Sequence, residues 1–333
     1  MARKTVVVVG MLDSVHLARW LSLTSDDVDF VLFPSGPNRR IHSDLITWMQ
    51  GPERLGKTEF YKYHRLVSLF LTPVKILFGI ETRHFFLRQL LKTRQTEIIH
   101  AFETQHAGYL VERTLRGSSG SGPKVFLSNY GSDIFWFQRF ASHRKKIRRL
   151  LPMVDKYICE CSRDIDLAKK FGLVTDSIIL TPNSGGTKVL PIETKQKRDL
   201  IAVKGYQSWS GQALKALAAL WVIRNEIRDY KLVAFSCNLP TVVAANLLSF
   251  FHQMKIRTFT KGSLTHDEML DLFARSAIYI GVSRTDGIST SAIESMAMGA
   301  IPVQSNTSCA SEWFEDGYSG FSLSDNRVST IRS

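Results

Sequence analysis

Residues 280–303 read Ile-Gly-Val-Ser-Arg-Thr-Asp-Gly-Ile-Ser-Thr-Ser-Ala-Ile-Glu-Ser-Met-Ala-Met-Gly-Ala-Ile-Pro-Val. Apolar runs at both ends flank a polar turn and a short amphipathic piece, which predicts strand, turn, helix, strand. Gly287 permits a sharp turn. Ser289, Thr290 and Ser291 are residues of the kind that open a helix, and Gly299 is of the kind that closes one. A helix opening presents N–H groups that have no intrahelical acceptor, and in a doubly wound sheet it lies at the carboxyl ends of the strands, where ligands bind. The N–H groups of Gly287, Ile288, Ser289 and Thr290 are therefore placed to take a diphosphate, each contact contributing roughly 0.3–2 kcal/mol. Asp286 precedes the turn and Glu294 follows it with seven residues between them. Each carboxylate can accept several hydrogen bonds from the hydroxyls of a ligand. A second reading stays open at this point: Ser291-x-x-Glu294 is also a capping box, in which Glu294 only satisfies a backbone donor.

Outward from this stretch, short apolar β-branched runs alternate with helical patterns along the whole chain, an α/β signature. In the first half, strands are expected at 5–9, 29–32, 98–101, 124–128 and 156–159, with helices such as 14–23 and 163–171 between them. The second half repeats the style with strands at 200–203, 232–235, 256–259, 277–280 and 300–303 and helices at 211–226 and 266–276. Near-continuous apolar strands imply parallel sheets covered on both faces. The polar segment 182–187 and the Lys/Thr/Glu-rich stretch 191–199 form the natural boundary, giving domains 1–187 and 188–333. The Gly/Ser-rich stretch 117–123 reads as a connection between a helix and the next strand. The aromatic and basic segment 60–91 admits two readings: a helical pair packed on the sheet, or a face lying on a membrane surface with snorkelling basic residues. The run Arg144-Lys-Lys-Ile-Arg-Arg149 reads as a solvated helix face.

At 333 residues the chain has room for two cores, and 44% hydrophobic with 22% charged residues is an ordinary globular balance. The net charge of +13 is uneven: residues 1–190 hold 28 Lys/Arg against 17 Asp/Glu, and residues 191–333 hold 15 against 13, so the halves carry +11 and +2. Such asymmetry points to a polyanionic partner, whether nucleic acid, anionic lipid or a phosphorylated acceptor. The longest apolar stretch, 66–74, is shorter than the ~20 residues of a spanning helix. The N-terminal apolar run of about five residues is shorter than a secretory core of ~7–15 and reads as a buried first strand. Cys159, Cys161, Cys237 and Cys309 form no C-x-x-C pair, which fits a reducing cytoplasm. The sequence has no Gly-x-Ser-x-Gly elbow and no His-Glu-x-x-His or Cys-rich metal motif. The acids at 26–29 read as a solvated turn rather than a cation site.

The pattern acid, Gly, apolar, small, then Glu-x-Met-Ala-x-Gly-x-Pro-Val resembles the nucleotide-sugar signature of retaining family 4 glycosyltransferases (glycosyl transferases group 1), and residues 312–320 resemble the segment that follows it. The likeness covers most of the chain. Residues 10–20 resemble the opening strand, loop and helix of these enzymes, 98–101 their histidine strand, Asn129-Tyr-Gly-Ser-Asp133 their Gly-Ser-Asp turn, and 182–186 the end of their first domain. The resemblance implies the GT-B fold, two Rossmann-like domains facing a central cleft. It implies that Glu294 binds the nucleotide ribose and Asp286 the donor sugar, and that Lys204 neutralises the leaving diphosphate. It also places His100, Asp133, Lys204 and Asp286 in the catalytic set, and Gly10, Asp13, Ser14, His16, Tyr130 and Asp133 at the acceptor.

Three departures stand out. Asp286 replaces the family's usual Glu, and no second cation follows Lys204 at close spacing, leaving Arg284 as the substitute. His100-Ala-Phe102 replaces the His-x-His pattern, with His106 and His16 as alternative imidazoles. The terminal helices that cross back to the first domain in the family are expected to be missing or shortened.

By this resemblance the chain is expected to be a metal-independent hexosyltransferase that needs no cofactor. It would move a sugar from a UDP- or GDP-linked donor to a saccharide, glycolipid or other anionic acceptor in cell-surface polysaccharide or glycolipid synthesis. A cytoplasmic location with peripheral contact to an anionic membrane is expected. Two other readings carry weight at this stage: a catalytically weak GT-B protein that binds a nucleotide-sugar as partner or sensor, and a nucleotide-sugar epimerase. A nucleic-acid-binding protein is disfavoured, because no recognition helix, zinc module or RNA-binding aromatic motif is present.

Overall fold

Four consecutive valines in β1 (Lys4–Gly10) are buried, Val7, Val8 and Val9 completely. A strand buried on both sides needs cover on both faces, and β1 has it. Val7 and Val9 pack with Ile99, Ala101 and Leu127, while Val6 and Val8 pack with Leu17, Leu21 and Leu32 on the opposite face. The strand pairs in parallel with β2 (Val28–Pro34), which is flanked in turn by the short β3 (Thr58–Phe60). On its other side it pairs with β4 (Ile98–Phe102), and β5 (Lys124–Asn129), β6 (Lys156–Cys159) and β7 (Ile178–Leu180) follow. The seven-stranded order is β3-β2-β1-β4-β5-β6-β7, parallel throughout.

The computed structural model describes residues 4–24, 27–36, 40–54, 56–62, 73–74, 77, 81–94, 96–117, 122–183, 185–186 and 197–332. The expected linker across 187–196, the core of the Gly/Ser stretch at 118–121, Asp26 of the acidic turn, and most of 63–80 in the aromatic and basic segment lie outside the described residues. The chain divides into two units, Met1–Gly186 and Thr187–Ser333. No described helix is long and apolar enough to cross a membrane.

The second unit repeats the plan. Its strands are β8 (Leu200–Lys204), β9 (Lys231–Cys237), β10 (Ile256–Thr260), β11 (Ser276–Gly281), β12 (Ile301–Ser305) and β13 (Phe321–Leu323), in the order β10-β9-β8-β11-β12-β13. All pair in parallel. Leu200 and Ala202 face one core cluster, Ile201 and Val203 the other. Both sheets are doubly wound, and strand order reverses between β1 and β4 in the first and between β8 and β11 in the second. Ligands bind at such switch points, outside the carboxyl ends of the strands.

The ten strands expected from sequence are all present, their ends within two residues of those expected. The three that sequence missed, β3, β7 and β13, are three-residue strands at sheet edges. The expected helix over 211–226 is shorter, Ala213–Val222, and gives way to turns before β9.

Gly205 shows how tightly the carboxyl end of β8 is packed. A Cβ there would lie 2.4 Å from Cys237 Sγ and 2.8 Å from the Phe235 carbonyl oxygen, and the Gly205 N–H donates to that same carbonyl at 2.7 Å. Gly205→Ala is therefore expected to destabilise the fold by about 1–3 kcal/mol through overpacking, read as a lower midpoint in urea unfolding; an unchanged midpoint would show that the strand end yields.

Candidate functional site

β8 ends on Lys204, and the chain leaving β11 turns back beside it. The Lys204 Nζ lies 3.4 Å from Asp286 Oδ2 and donates to Ser289 Oγ at 3.1 Å. Burial works against the Lys204 charge, but Asp286 outweighs it and holds the ammonium pKa above the ordinary lysine value. Asp286 also accepts from the Gly287 N–H at 3.0 Å, so this N–H, one of the four expected to cradle a diphosphate, is engaged within the turn. The backbone of Arg284 is fixed by a 2.7 Å bond from its N–H to the Ser210 carbonyl, and its side chain is exposed. Ile288 and Ser289 are buried.

Ser289 is the N-cap of the helix Thr290–Ala297, and its side chain makes no capping bond. Instead its hydroxyl joins a cluster with Tyr279 OH at 3.1 Å and Ser291 Oγ at 3.1 Å, while Tyr279 OH and Ser291 Oγ lie 2.9 Å apart. The N–H groups of this helix opening have no intrahelical acceptor. The capping-box reading of Glu294 does not hold: Ser291 is the second residue inside the helix, not its cap. Glu294, 5% exposed, meets His266 Nε2 at 2.8 Å through its Oε1. His266 is itself fixed at the start of the helix His266–Ala274 by a true capping box formed by Thr265 and Glu268.

The far end of the helix Thr290–Ala297 is held by Arg198. Its Nη1 donates to the Met298 carbonyl at 3.0 Å, and its guanidinium lies where a Cβ on Gly299 would fall, 2.6 Å from Nη2. Gly299 has φ +82°, a conformation that favours glycine. Lys204, Arg284, Asp286, Gly287, Ile288, Ser289, Thr290 and Glu294 thus all lie on the β8 strand end, the turn after β11 and the helix that turn opens. His266, Tyr279 and Arg198 complete the arrangement and were not legible in the motif. The one available signal was the capping-box spacing at Thr265, which placed a helix start but not its partner.

In the first unit the expected acceptor residues separate into three groups. Gly10 ends β1 and is buried, and a Cβ on it would press on Leu17 and Phe102 at 3.1 and 3.3 Å. Asp13 is exposed, and Ser14 is the N-cap of the helix Val15–Ser22 without a side-chain capping bond. The His16 ring lies 6.3 Å from that of Tyr130, and the Tyr130 N–H donates to Asp133 Oδ2 at 3.1 Å. These three come together.

His100 does not join them. It is 2% exposed in the middle of the sheet, its ring centroid 4.9 Å from Trp20 and 4.2 Å from Phe102, with Nε2 3.0 Å from Ser128 Oγ. Burial lowers its pKa to about 3. The expectation of a catalytic imidazole here is corrected: a strand residue pointing into an aromatic layer is a core residue, whatever its chemistry.

Sequence reasoning named Asp133 but missed the buried carboxylates near it, Glu103, Glu160 and Asp164, at and just beyond the ends of β4 and β6. Glu103, left-handed at φ 77°, caps the π-helical turn Thr104–Gly108 by accepting from the His106 and Ala107 N–H groups. Asp133 accepts from Thr104 N–H at 2.8 Å, and Glu160 from Gly131 and Asn183 N–H at 3.1 and 3.3 Å. Asp164, wholly buried, accepts from Arg163 Nε at 2.9 Å. Burial, reinforced by Glu103, raises the Asp133 pKa well above the ordinary value, and the two backbone donors only partly offset this. Burial and the same carboxylates push the Tyr130 phenol up. Position alone could have flagged Glu103 and Glu160, each an acid one residue past a strand.

No protein-family model matches the sequence, and no curated protein matches it. The structure, in contrast, is similar to solved glycosyltransferases. One from Rickettsia africae superposes with a TM-score of 0.64 at 15% identity over 100% of this chain and 87% of that one. Anabaena HepE in complex with UDP-glucose gives 0.67 at 11% identity, covering 98% and 87%. The lipopolysaccharide outer core galactosyltransferase WaaB gives 0.67 at 12% identity, covering 98% and 88%. These neighbours are GT-B glycosyltransferases, and the chain has their fold of two Rossmann-like parallel-sheet domains.

The Asp133 geometry yields a pH-dependent prediction. A carboxyl whose folded pKa is raised contributes its full stability below the ordinary value of 3.8 and loses it as pH rises through the raised value. Asp133→Asn keeps an oxygen for the Thr104 and Tyr130 donors and removes the charge. The Tm of the variant relative to wild type is expected to climb as pH rises above the ordinary carboxyl value and the wild-type group is forced to ionise; a pH-independent difference would place the titration elsewhere.

Proposed function

We propose that the protein is a glycosyltransferase that takes a sugar from a nucleotide diphosphate donor. The observation that carries this reading is the cluster of Lys204, Asp286 and Ser289 at the opening of the helix Thr290–Ala297, with Glu294 on the same helix. Unpaired helix N–H groups suit a diphosphate. Lys204, kept charged by Asp286, would pass from that carboxylate to the phosphate as negative charge develops on the leaving group. Asp286, its ion pair exchanged, would accept from sugar hydroxyls through the oxygen that now faces Lys204. Glu294, oriented by His266, would take the ribose hydroxyls. HepE bound to UDP-glucose and WaaB, a galactosyltransferase, favour a UDP-hexose as donor.

The finer reading is a retaining, metal-independent hexosyl transfer in cell-surface polysaccharide or glycolipid synthesis. The bond from the anomeric carbon to the diphosphate oxygen breaks, the acceptor oxygen bonds on the same face, and the acceptor's proton passes to the departing diphosphate. This scheme needs no protein nucleophile. Lys204 supplies charge neutralisation that a divalent cation would otherwise give. On the first unit, Gly10, Asp13, Ser14, His16, Tyr130 and Asp133 are read as the acceptor side, and the basic surface of that unit suits an anionic acceptor and peripheral contact with anionic lipid.

Calorimetric titration with UDP and UDP-glucose tests the donor reading. Glu294→Ala is expected to weaken UDP by one to two powers of ten, the loss of a charged hydrogen bond of about 1.5–3 kcal/mol. Wild-type affinity in the variant would confine Glu294 to holding His266. Transfer should persist in excess chelator and yield a product of unchanged anomeric configuration by NMR. Loss of turnover on chelation, or inversion, would refute that part of the scheme.

A further inference from the structure

A pocket of about 280 Å³ opens in the first unit between the helices Tyr109–Leu115 and Ala141–Leu150. Its walls carry two pairs of cations at three-residue spacing, Arg113 on one helix with Arg116 at its C-cap, and Lys146 with Arg149 on the other. Residues three apart share a helix face, so the two helices present positive charge into the same space. Two acids also line it, and both are committed. Glu112 accepts the fork of Arg116 at 2.9 and 2.7 Å, and Glu81 accepts from the buried Arg83, its Nε at 2.7 Å. Among the described residues, Arg113, Lys146 and Arg149 make no ion pair. Lys146 instead lies over the Tyr109 ring, its Nζ 5.1 Å from the centroid. The helix Ala141–Leu150 contains no acid, so the repulsion along it is uncompensated from within.

We propose that this pocket binds a phosphate group. Guanidinium forks match phosphate oxygens in shape. Three uncompensated cations also exceed what one carboxylate would neutralise, whereas a phosphate monoester carries about −1.5 to −2 charges. The Tyr109 ring offers an apolar wall to whatever carries the phosphate. A soluble phosphate ester and a lipid headgroup share this chemistry. The inference does not rest on the donor reading, since every residue of the pocket belongs to the first unit.

The test is a titration of the full chain with glycerol phosphate, beside flotation with phosphatidic acid and phosphatidylcholine vesicles. Wild type is expected to bind glycerol phosphate, and the double variant Arg113→Ala with Arg149→Ala to bind it about tenfold or more weakly. Lys204→Ala should bind it as wild type does. If the phosphate is that of a lipid, wild type floats with phosphatidic acid and not with phosphatidylcholine, and the double variant loses that flotation. The altered side chains line an open pocket and reach solvent, so an unchanged Tm will show that the variant is folded. Binding to neither probe by wild type, retention of both by the double variant, or loss in Lys204→Ala instead would overturn the assignment. Unchanged UDP affinity in the double variant separates this result from the fate of the donor reading.

Discussion

Parallel pairing of β8 with β11 is the constraint on which the second unit's chemistry depends. The register sets Val203 opposite Ile280, so Lys204 emerges beside the turn that leaves β11. A lysine and an aspartate 82 residues apart meet because two strands that are distant in sequence are neighbours at the point where strand order reverses. Gly205 and Gly281 are part of this requirement. A Cβ on Gly281 would fall 2.1 Å from Gln304 Oε1 and 2.7 Å from Tyr279 OH, so the polar cluster under the helix exists only where the backbone carries no side chain.

The first unit uses the same topology with opposite electrostatics. Although its sequence is strongly basic, the ends of β4, β5 and β6 are lined by buried carboxylates, and the positive charge lies on surface helices such as Ala141–Leu150. Glu103, Asp133 and Glu160 each accept main-chain N–H groups from neighbouring loops. They fix loop backbone at the strand ends, and this explains why net charge alone was a poor guide to what lines them.

Central strands were legible because they are continuous apolar runs, and the Asp286–Glu294 spacing located the turn that brings Asp286 to Lys204. The edge strands β3, β7 and β13 escaped because three residues at an edge need no hydrophobic alternation to pair. His100 misled because a motif position says nothing about which way a strand residue points, and here it points into Trp20 and Phe102. For Glu294, two roles had equal standing in spacing; the position of the cap at Ser289 and the contact with His266 removed the capping one. His266 and Arg198 lay beyond reach because their partners are tertiary.

The helix Thr290–Ala297 is anchored by its tail. Arg198 grips the Met298 carbonyl and fills the space over Gly299, whereas no side chain caps the opposite end. Under the donor reading proposed above, stability and recognition are thereby assigned to different ends of one element. Exposed side chains at the mouth, such as that of Arg284, can then be varied while the packed end stays intact, so this segment offers a route to altered specificity that does not begin by weakening the protein.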